Sequence, residues 1–264
     1  MKLLNGRELA DFIQQRQFRQ AAGLISRGIT PKLAIIVTVD HPAINTYVKM
    51  KTKYGADMGI AVDTYRISQA KAAVTIAKLN DDPSVHGIII QLPLSDTSQT
   101  DEIVNLVSPS KDIDALGVKA AFEPATPMAI LWLLAGYNVD LKGKQVLLIG
   151  RGKLVGQPLE RILKSSNVSV TVADRSTKDL ASETLQADVI ITATGSPAIL
   201  YPDMIKQGAV VVDAGVAGEE GKTVGDLAPE VYERDDLTLT PAKGGVGPLT
   251  ICALFDNVIR AASR

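Results

Sequence analysis

The chain is poor in the residue types on which cross-linked, metal-bound or membrane-embedded proteins rely. Its single cysteine, Cys252, excludes an internal disulfide and a cysteine-cluster metal site, which fits a reducing compartment. Two histidines, His41 and His86, are too few and too separated for a zinc constellation. Neither sign of charge prevails: 28 Lys and Arg stand against 29 Asp and Glu, so no global field draws in nucleic acid or an anionic membrane. No apolar run approaches membrane-spanning length, and the opening MKLLNGRELADF meets arginine and glutamate too early for a signal peptide. A soluble cytoplasmic protein is the expectation. What is present suffices for a packed core, since 46% of residues are hydrophobic and 22% charged. A length of 264 residues suits one large domain or two ordinary ones.

The organising stretch is Lys144–Leu163. Gln145–Ile149 is almost wholly apolar, the pattern of a strand buried on both faces of a parallel sheet. It stops at Gly150-Arg151-Gly152, and a helical pattern begins near Val155. Glycines at such a corner let the backbone turn sharply and approach a ligand. The following helix offers free N–H groups and a positive dipole end, which suit a pyrophosphate. Pro158 fits its first turn. The spacing, Gly150, Gly152, Gly156, is not the commoner G-x-G-x-x-G, and alone it reads equally as an ordinary strand-to-helix turn. Further strands are expected at Val168–Ala173, Asp188–Thr192 and Ala209–Asp213, with helix-compatible segments between the first three. That alternation points to a doubly wound sheet and dinucleotide binding.

The first half reads as an α/β unit of its own. A surface helix is expected over Leu4–Gln20, strands over Leu33–Val39, Ile60–Tyr65 and Gly87–Gln91, and helices over Asn45–Met58 and Asp101–Val107. Ser68 is expected to cap a further helix that runs to Leu79. Lys111–Pro127 has no clear period and reads as an interdomain passage, after which Pro127 opens a helix, Met128–Tyr137, with Trp132 on its apolar face. Leu237–Thr240 reads as a last strand and Leu249–Ala262 as a final helix, in which Cys252 is expected to be buried and inert.

Several residues can carry chemistry. Tyr47 and Lys51 stand four apart on an expected helix, so they share a face, and a desolvated lysine handles protons near neutrality. The competing reading, a lysine covering a ring on a solvated helix, is the commoner one for the pair alone. Short-chain dehydrogenases also use Tyr-x-x-x-Lys, but downstream of their glycine-rich turn; here the pair lies upstream. Gln91 ends a buried strand, where ligands gather in open parallel sheets, or else it bonds the adjoining loop. Asp112 and Asp114 flank Ile113, and such carboxylates either hold a guanidine-like ligand edge or cap the loop. Gly244-Gly245-Val246-Gly247-Pro248 reads as a close approach to a ligand or as a tight turn.

Together these segments resemble the bifunctional methylenetetrahydrofolate dehydrogenase/cyclohydrolases. The matching stretches are Tyr47-Val-Lys-Met-Lys51, Gln91-Leu-Pro-Leu94, Lys111-Asp-Ile-Asp114, Pro124-Ala-Thr-Pro127, Gly150 to Pro158, Gly195-Ser-Pro197, Val212-Asp-Ala-Gly215, Gly225-Asp226 and Pro241 to Thr250. They follow the family's order over nearly the whole chain. The resemblance implies two α/β domains flanking a cleft, the second Rossmann-like with a mostly parallel sheet. Residues 1–125 would form the folate-binding catalytic domain, completed by a C-terminal helix over 246–264, and residues 126–245 the NAD(P)-binding domain. It implies oxidation of 5,10-methylenetetrahydrofolate to the methenyl compound with NADP, then hydrolysis to 10-formyltetrahydrofolate, in a homodimer. By motif, Lys51 becomes the proton shuttle, Gln91 its orienting partner and Tyr47 a wall for the pterin. Asp114 would hold the pterin's amino edge, with Gly244, Gly245 and Pro248 also against the substrate. Gly150, Arg151, Gly152, Val155, Gly156, Asp174, Arg175, Ser176, Gly195 and Val216 would line the dinucleotide. The chain departs from the family at Ala115, where glycine is usual, and at Gly152, where serine is usual.

The choice of dinucleotide rests on opposed signals. Asp174, twenty-four residues beyond Gly150 (174 − 150), is placed to accept from an adenosine ribose, which favours NAD. Arg151, Arg175 and Ser176 are equipment for a 2′-phosphate and tilt the balance to NADP. Two other functions compete: a monofunctional dehydrogenase without hydrolytic activity, and a non-catalytic sensor of dinucleotide and folate. The Tyr47–Lys51–Gln91 set argues against a pure binder, which needs no proton shuttle.

Overall fold

The computed structural model describes residues 1–219 and 222–264, apart from the side chains of 217–219, 222 and 223. The first half runs β1 (Lys2–Leu3), α1 (Gly6–Ile25), β2 (Lys32–Val37), α2 (Pro42–Met58), β3 (Ala61–Arg66), α3 (Ala72–Asp81), β4 (Gly87–Gln91) and α4 (Thr100–Val104). The second runs α5 (Ala125–Gly136), β5 (Val146–Ile149), α6 (Gly156–Ser165), β6 (Val170–Ala173), α7 (Leu180–Gln186), β7 (Val189–Thr192) and β8 (Val210–Asp213). It ends with β9 (Ala217–Glu219), β10 (Lys222–Val224), β11 (Thr238–Leu239) and α8 (Val246–Ala262). No helix of the described residues is long and apolar enough to cross a membrane.

The chain divides into two compact units, one of Met1–Ala10 with Thr126–Thr250, the other of Asp11–Ala125 with Ile251–Arg264. In the second of these, β2 lies between β3 and β4, and all three strands are parallel. The apolar runs of β2 and β4 are buried almost throughout, whereas β3, at the edge, carries Asp63, Thr64 and Arg66. One core cluster joins Ala34, Ile36, Ile88 and Ile90 to Ile76 and Leu79 of α3 and Ile103 of α4. Gly55 brings α2 close to the sheet: a Cβ there would fall 2.4 Å from the Val62 side chain.

The other unit holds a parallel sheet in the order β1-β11-β8-β7-β5-β6, and its core joins Leu147, Ile149, Ile190, Val211 and Leu239. Both units are thus α/β with parallel sheets, as expected. The boundary differs from the expected 1–125 at its start. Lys2 and Leu3 pair in register with Thr238 and Leu239, so the first ten residues belong with the larger sheet. Without them β11 would present open backbone groups at an edge, and two residues suffice to cover it.

Several expected elements shift. Ser68 makes no side-chain cap, and a 3-10 turn, Gln69–Lys71, precedes α3. Helix α5 opens at Ala125, ahead of Pro127, and Trp132 is half-buried instead of sunk in the core. Cys252 is buried as expected, and burial pushes its thiol up to about 11.

Candidate active site

In the smaller sheet the chain leaves β2 for β3 on one side and later for β4 on the other, so the strand ends diverge at a topological switch point. Gln91 closes β4, in register with Val37 at the end of β2. Helix α2 starts beyond β2, where His41 Nδ1 accepts the Ala43 N–H at 3.3 Å and Pro42 fills the first turn. Lys51 Nζ donates to Gln91 Oε1 at 3.0 Å, and Gln91 Nε2 donates to the Leu92 carbonyl at 3.2 Å. The second bond orients the amide so that its oxygen meets the lysine. Tyr47, one turn earlier on α2, is 44% exposed, a free ring beside the pair. One turn later, the buried Tyr54 stacks on Phe255 with centroids 4.8 Å apart and donates to Gln17 Oε1 at 2.5 Å. That contact pins the helix from the side opposite its open end.

Burial pushes Lys51 below the ordinary lysine range, and the nearby Asp114 carboxylate opposes it. Burial pushes Asp114 up, opposed by the Lys51 charge. The two therefore lean toward amine and neutral acid, the forms in which lysine accepts a proton and a carboxyl donates one. The structure brings Lys51, Gln91 and Asp114 together, and Tyr47 stands exposed one turn before Lys51 on α2.

The Lys111–Asp114 motif divides its labour. Lys111 Nζ donates to the Leu79 and Asp82 carbonyls, at 2.9 and 2.6 Å, and so caps the end of α3. Asp112 is buried, and its carboxylate accepts the N–H groups of Leu116 at 3.3 Å and Gly117 at 2.8 Å. Asn257 Nδ2 donates to the Ile113 carbonyl at 2.9 Å. Asp114 alone faces Lys51 electrostatically. Ala115, where the resemblance leads one to expect glycine, adopts φ 56°, the left-handed conformation a glycine takes freely and another residue adopts at a cost of roughly 1–2 kcal/mol. The departure therefore keeps the loop's shape.

The turn after β5 is explained in part by the chain's own contacts. Gly150 has φ 102°, and a Cβ on Gly156 would fall 2.1 Å from the Gly150 carbonyl oxygen. A Cβ on Gly152 meets nothing of the protein within 4 Å, so that glycine leaves open room at the mouth of α6, behind Val155. Room at a helix N-terminus is where an anionic group such as a pyrophosphate could be held. Arg151 Nε pairs with Glu160 Oε2 at 3.1 Å, and Lys164 Nζ takes the other oxygen at 2.7 Å. Sequence reasoning missed Glu160; its signal was the four-residue spacing to Lys164. Asp174 Oδ1 accepts from Ser176 N at 2.8 Å and Ser176 Oγ at 2.6 Å, so that hydroxyl is engaged within its own turn, while Arg175 is exposed. Gly195 has φ 66°, and a Cβ there would lie 3.3 Å from the carbonyl oxygen of the exposed Val216.

The Gly244–Gly245 loop approaches its own chain closely. Arg7 N donates to the Gly244 carbonyl at 3.0 Å, and a Cβ on Gly6 would fall 1.8 Å from the Gly245 oxygen. Pro248 is half-buried in the first turn of α8. Gly244 has φ 88°, and a Cβ on Gly245 would lie 2.9 Å from Thr240 Cβ, so the fold itself needs these two glycines whatever else they contact.

Burial raises the Asp112 carboxyl from 3.8 to about 6, against the pull of the Gly117 and Leu116 N–H groups. The folded protein then holds this proton more tightly than the unfolded chain. The resulting stabilisation is full below the unfolded value and is lost as pH rises through the folded one. The difference in unfolding free energy between wild type and Asp112→Asn should decline by about 2 kcal/mol from about pH 4 to about pH 7 in urea titrations. Parallel stability curves would refute this assignment.

Comparison with known proteins agrees with this geometry. Residues 4–114 match the family profile described as tetrahydrofolate dehydrogenase/cyclohydrolase, catalytic domain, and residues 124–264 its NAD(P)-binding domain. The bifunctional protein FolD of Campylobacter jejuni is 39% identical over 279 residues, covering 100% of this chain and 99% of its own. A crystal structure of the C. jejuni bifunctional enzyme superposes with a TM-score of 0.94 at 38% identity, covering 100% of this chain and 99% of that one. The Trypanosoma brucei enzyme, solved with NADP and an inhibitor, gives a TM-score of 0.93 at 29% identity, covering 99% and 97%. With the Lys51–Gln91 contact in one unit and the glycine turn in the other, the chain belongs to the tetrahydrofolate dehydrogenase/cyclohydrolase family.

Proposed function

We propose that this protein is a cytoplasmic enzyme that oxidises 5,10-methylenetetrahydrofolate to the 5,10-methenyl compound with NADP and then hydrolyses that product to 10-formyltetrahydrofolate. The observation that carries the reading is the 3.0 Å hydrogen bond from Lys51 Nζ to Gln91 Oε1, with burial holding the lysine toward its neutral form. NADP, when bound, supplies the acceptor for a hydride from the methylene carbon. The residues of this chain then act on the methenyl product. Its positive charge lowers further the proton affinity of a lysine beside it. Lys51, as a neutral amine, takes a proton from the water that adds to the methenyl carbon. It returns that proton to the departing nitrogen as one carbon–nitrogen bond opens, then takes the hydroxyl proton as the formyl C=O forms on the other nitrogen and releases it to solvent. Gln91 holds the amine in line, and the exposed Tyr47 ring offers a face to the pterin. Asp114 accepts from the pterin's amino edge when ionised and steadies the lysine's charge between steps.

The Asp114 loop supports retention of the hydrolytic step, since Ala115 takes the left-handed conformation and Asp112 closes the turn. For the dinucleotide, Gly150, Arg151, Gly152, Val155 and Gly156 would receive the pyrophosphate. The exposed Arg175 is the cation for a 2′-phosphate, with Arg151 behind it. Two chains in one particle, as the family resemblance implies, belong to the same proposal.

Lys51→Ala should cut methenyl hydrolysis by about 100-fold or more, the usual worth of a positioned general acid–base, with oxidation of the methylene compound reduced far less. Unchanged hydrolysis in an absorbance assay would sink the role given to Lys51. Arg175→Ala should raise KM for NADP far more than for NAD; equal losses would reverse the assignment of that arginine. Light scattering should report twice the 28.0 kDa chain mass, and a monomer at working concentration counts against the pairing.

A further inference from the structure

Two aspartates, Asp213 and Asp226, have no part in the reaction as described, yet each is tied to a loop proposed to touch the dinucleotide. Asp213 closes β8 and Asp226 follows β10. Asp226 is 0% exposed, and its Oδ2 accepts the Thr194 N–H at 2.8 Å while its Oδ1 accepts the Ser196 N–H at 3.1 Å. The carboxylate therefore grips both sides of Gly195. Asp213 accepts the N–H groups of Gly215 at 2.9 Å, of Asp226 at 2.9 Å and of Leu227 at 3.2 Å, and the Thr192 hydroxyl at 3.2 Å. Its own N–H donates to Thr240 Oγ1 at 2.9 Å.

The arrangement is reciprocal. A Cβ on Gly215 would fall 2.0 Å from Asp226 Oδ1, and one on Gly225 would fall 2.0 Å from Asp213 Oδ2. Each carboxylate thus lies against the glycine next to its partner's segment. Among the described residues no cation pairs with either aspartate. A buried carboxylate, Asp226, and a half-buried one, Asp213, are costly without a counter-charge unless hydrogen bonds satisfy them, and here backbone N–H groups and the Thr192 hydroxyl do so. The consequence is that the ends of β7 and β8 are bound to one another through side chains, with Gly195 and Val216 carried on the bound segments.

Strand order says which end of the ligand these segments serve. The glycine turn follows β5, and Asp174, the ribose-side residue, follows β6 on one flank. Strands β7 and β8 end on the opposite flank. A dinucleotide with its pyrophosphate at the turn and its adenosine toward β6 lays its nicotinamide half over the ends of β7 and β8.

We propose that Asp213 and Asp226 are positioning residues for the nicotinamide end of the dinucleotide, acting through the Gly195 and Val216 loops. This rests on the dinucleotide reading above. The test compares wild type with Asp226→Asn, Asp226→Ala and Thr192→Val, using NADP and 2′,5′-ADP as binding probes. Loss of one buried charge-assisted hydrogen bond corresponds to about a tenfold change or more. Asp226→Asn should therefore raise the dissociation constant for NADP about tenfold and lower the hydride-transfer rate, with Asp226→Ala worse. The affinity for 2′,5′-ADP, which lacks the nicotinamide half, and the rate of methenyl hydrolysis should stay within about twofold of wild type. Thr192→Val, which removes only a hydroxyl donor to Asp213, should shift NADP affinity the same way by less, and it carries the test if the aspartate variants do not fold. Equal losses for NADP and 2′,5′-ADP, a parallel fall in hydrolysis, or unchanged NADP binding would overturn the proposal. A wild type that binds neither probe would instead overturn the dinucleotide reading itself.

Discussion

A lysine withdrawn from water keeps its charge poorly, and the catalytic proposal for this protein depends on that single constraint. Lys51 has Gln91 as its hydrogen-bond partner and Asp114 as its electrostatic one. The amide fixes where the nitrogen points without supplying a full counter-charge. The carboxyl supplies charge, but its own burial weakens that supply. An exposed lysine, or one in a tight ion pair, would hold its proton far above neutrality and be useless as a base. The balance found here lowers the lysine's hold on its proton, which is what the proposed shuttle requires.

Much of the surrounding scaffold serves to hold that balance. Tyr54, stacked on Phe255 and bonded to Gln17, fixes α2 along its buried stripe, and Gly55 lets the helix lie close on the sheet. Gln91 is fixed by strand register, since Val37 stands opposite it in β2. Asp114 is fixed by its neighbours: Lys111 and Asp112 spend their charges on backbone groups so that the loop between them keeps one shape. The carboxylate proposed to act thus rests on two charged residues that are bonded to the backbone.

The same design recurs in the larger sheet. Each unit has a strand flanked on its two sides by the next two strands of the chain, β2 by β3 and β4, β5 by β6 and β7, and each gathers its candidate residues at that point. Parallel strands end together, and their helix connections leave on opposite faces, so a crevice opens there without further instruction. In the larger unit, carboxylates bonded to backbone N–H groups again organise loops, with Asp213 and Asp226 in the role that Asp112 has in the smaller one.

The long elements were legible in the sequence because burial on both faces leaves continuous apolar runs, as in Gly87–Gln91, and because α2 and the turn after β5 carry strong spacing signals. The chemical residues were legible as types at element ends: Lys51, Gln91 and Asp114 each appear where a ligand-facing residue belongs. What the sequence left open turned on contacts between distant segments. The two-residue strand β1 has no period to read, yet backbone pairing with β11 moves the first ten residues into the other unit. The Gly244–Gly245 loop reads equally as a ligand loop or a tight turn, and only the fold shows Gly6 packed against it. Asp112 and Asp114 look alike in the chain, and only the surrounding N–H groups and Lys51 separate a structural carboxylate from a reactive one. Residue types and local periods determined the two α/β units and the inventory of chemistry. Tertiary structure decided which charges face one another, because desolvation and hydrogen bonding depend on neighbours that the chain brings together only when folded.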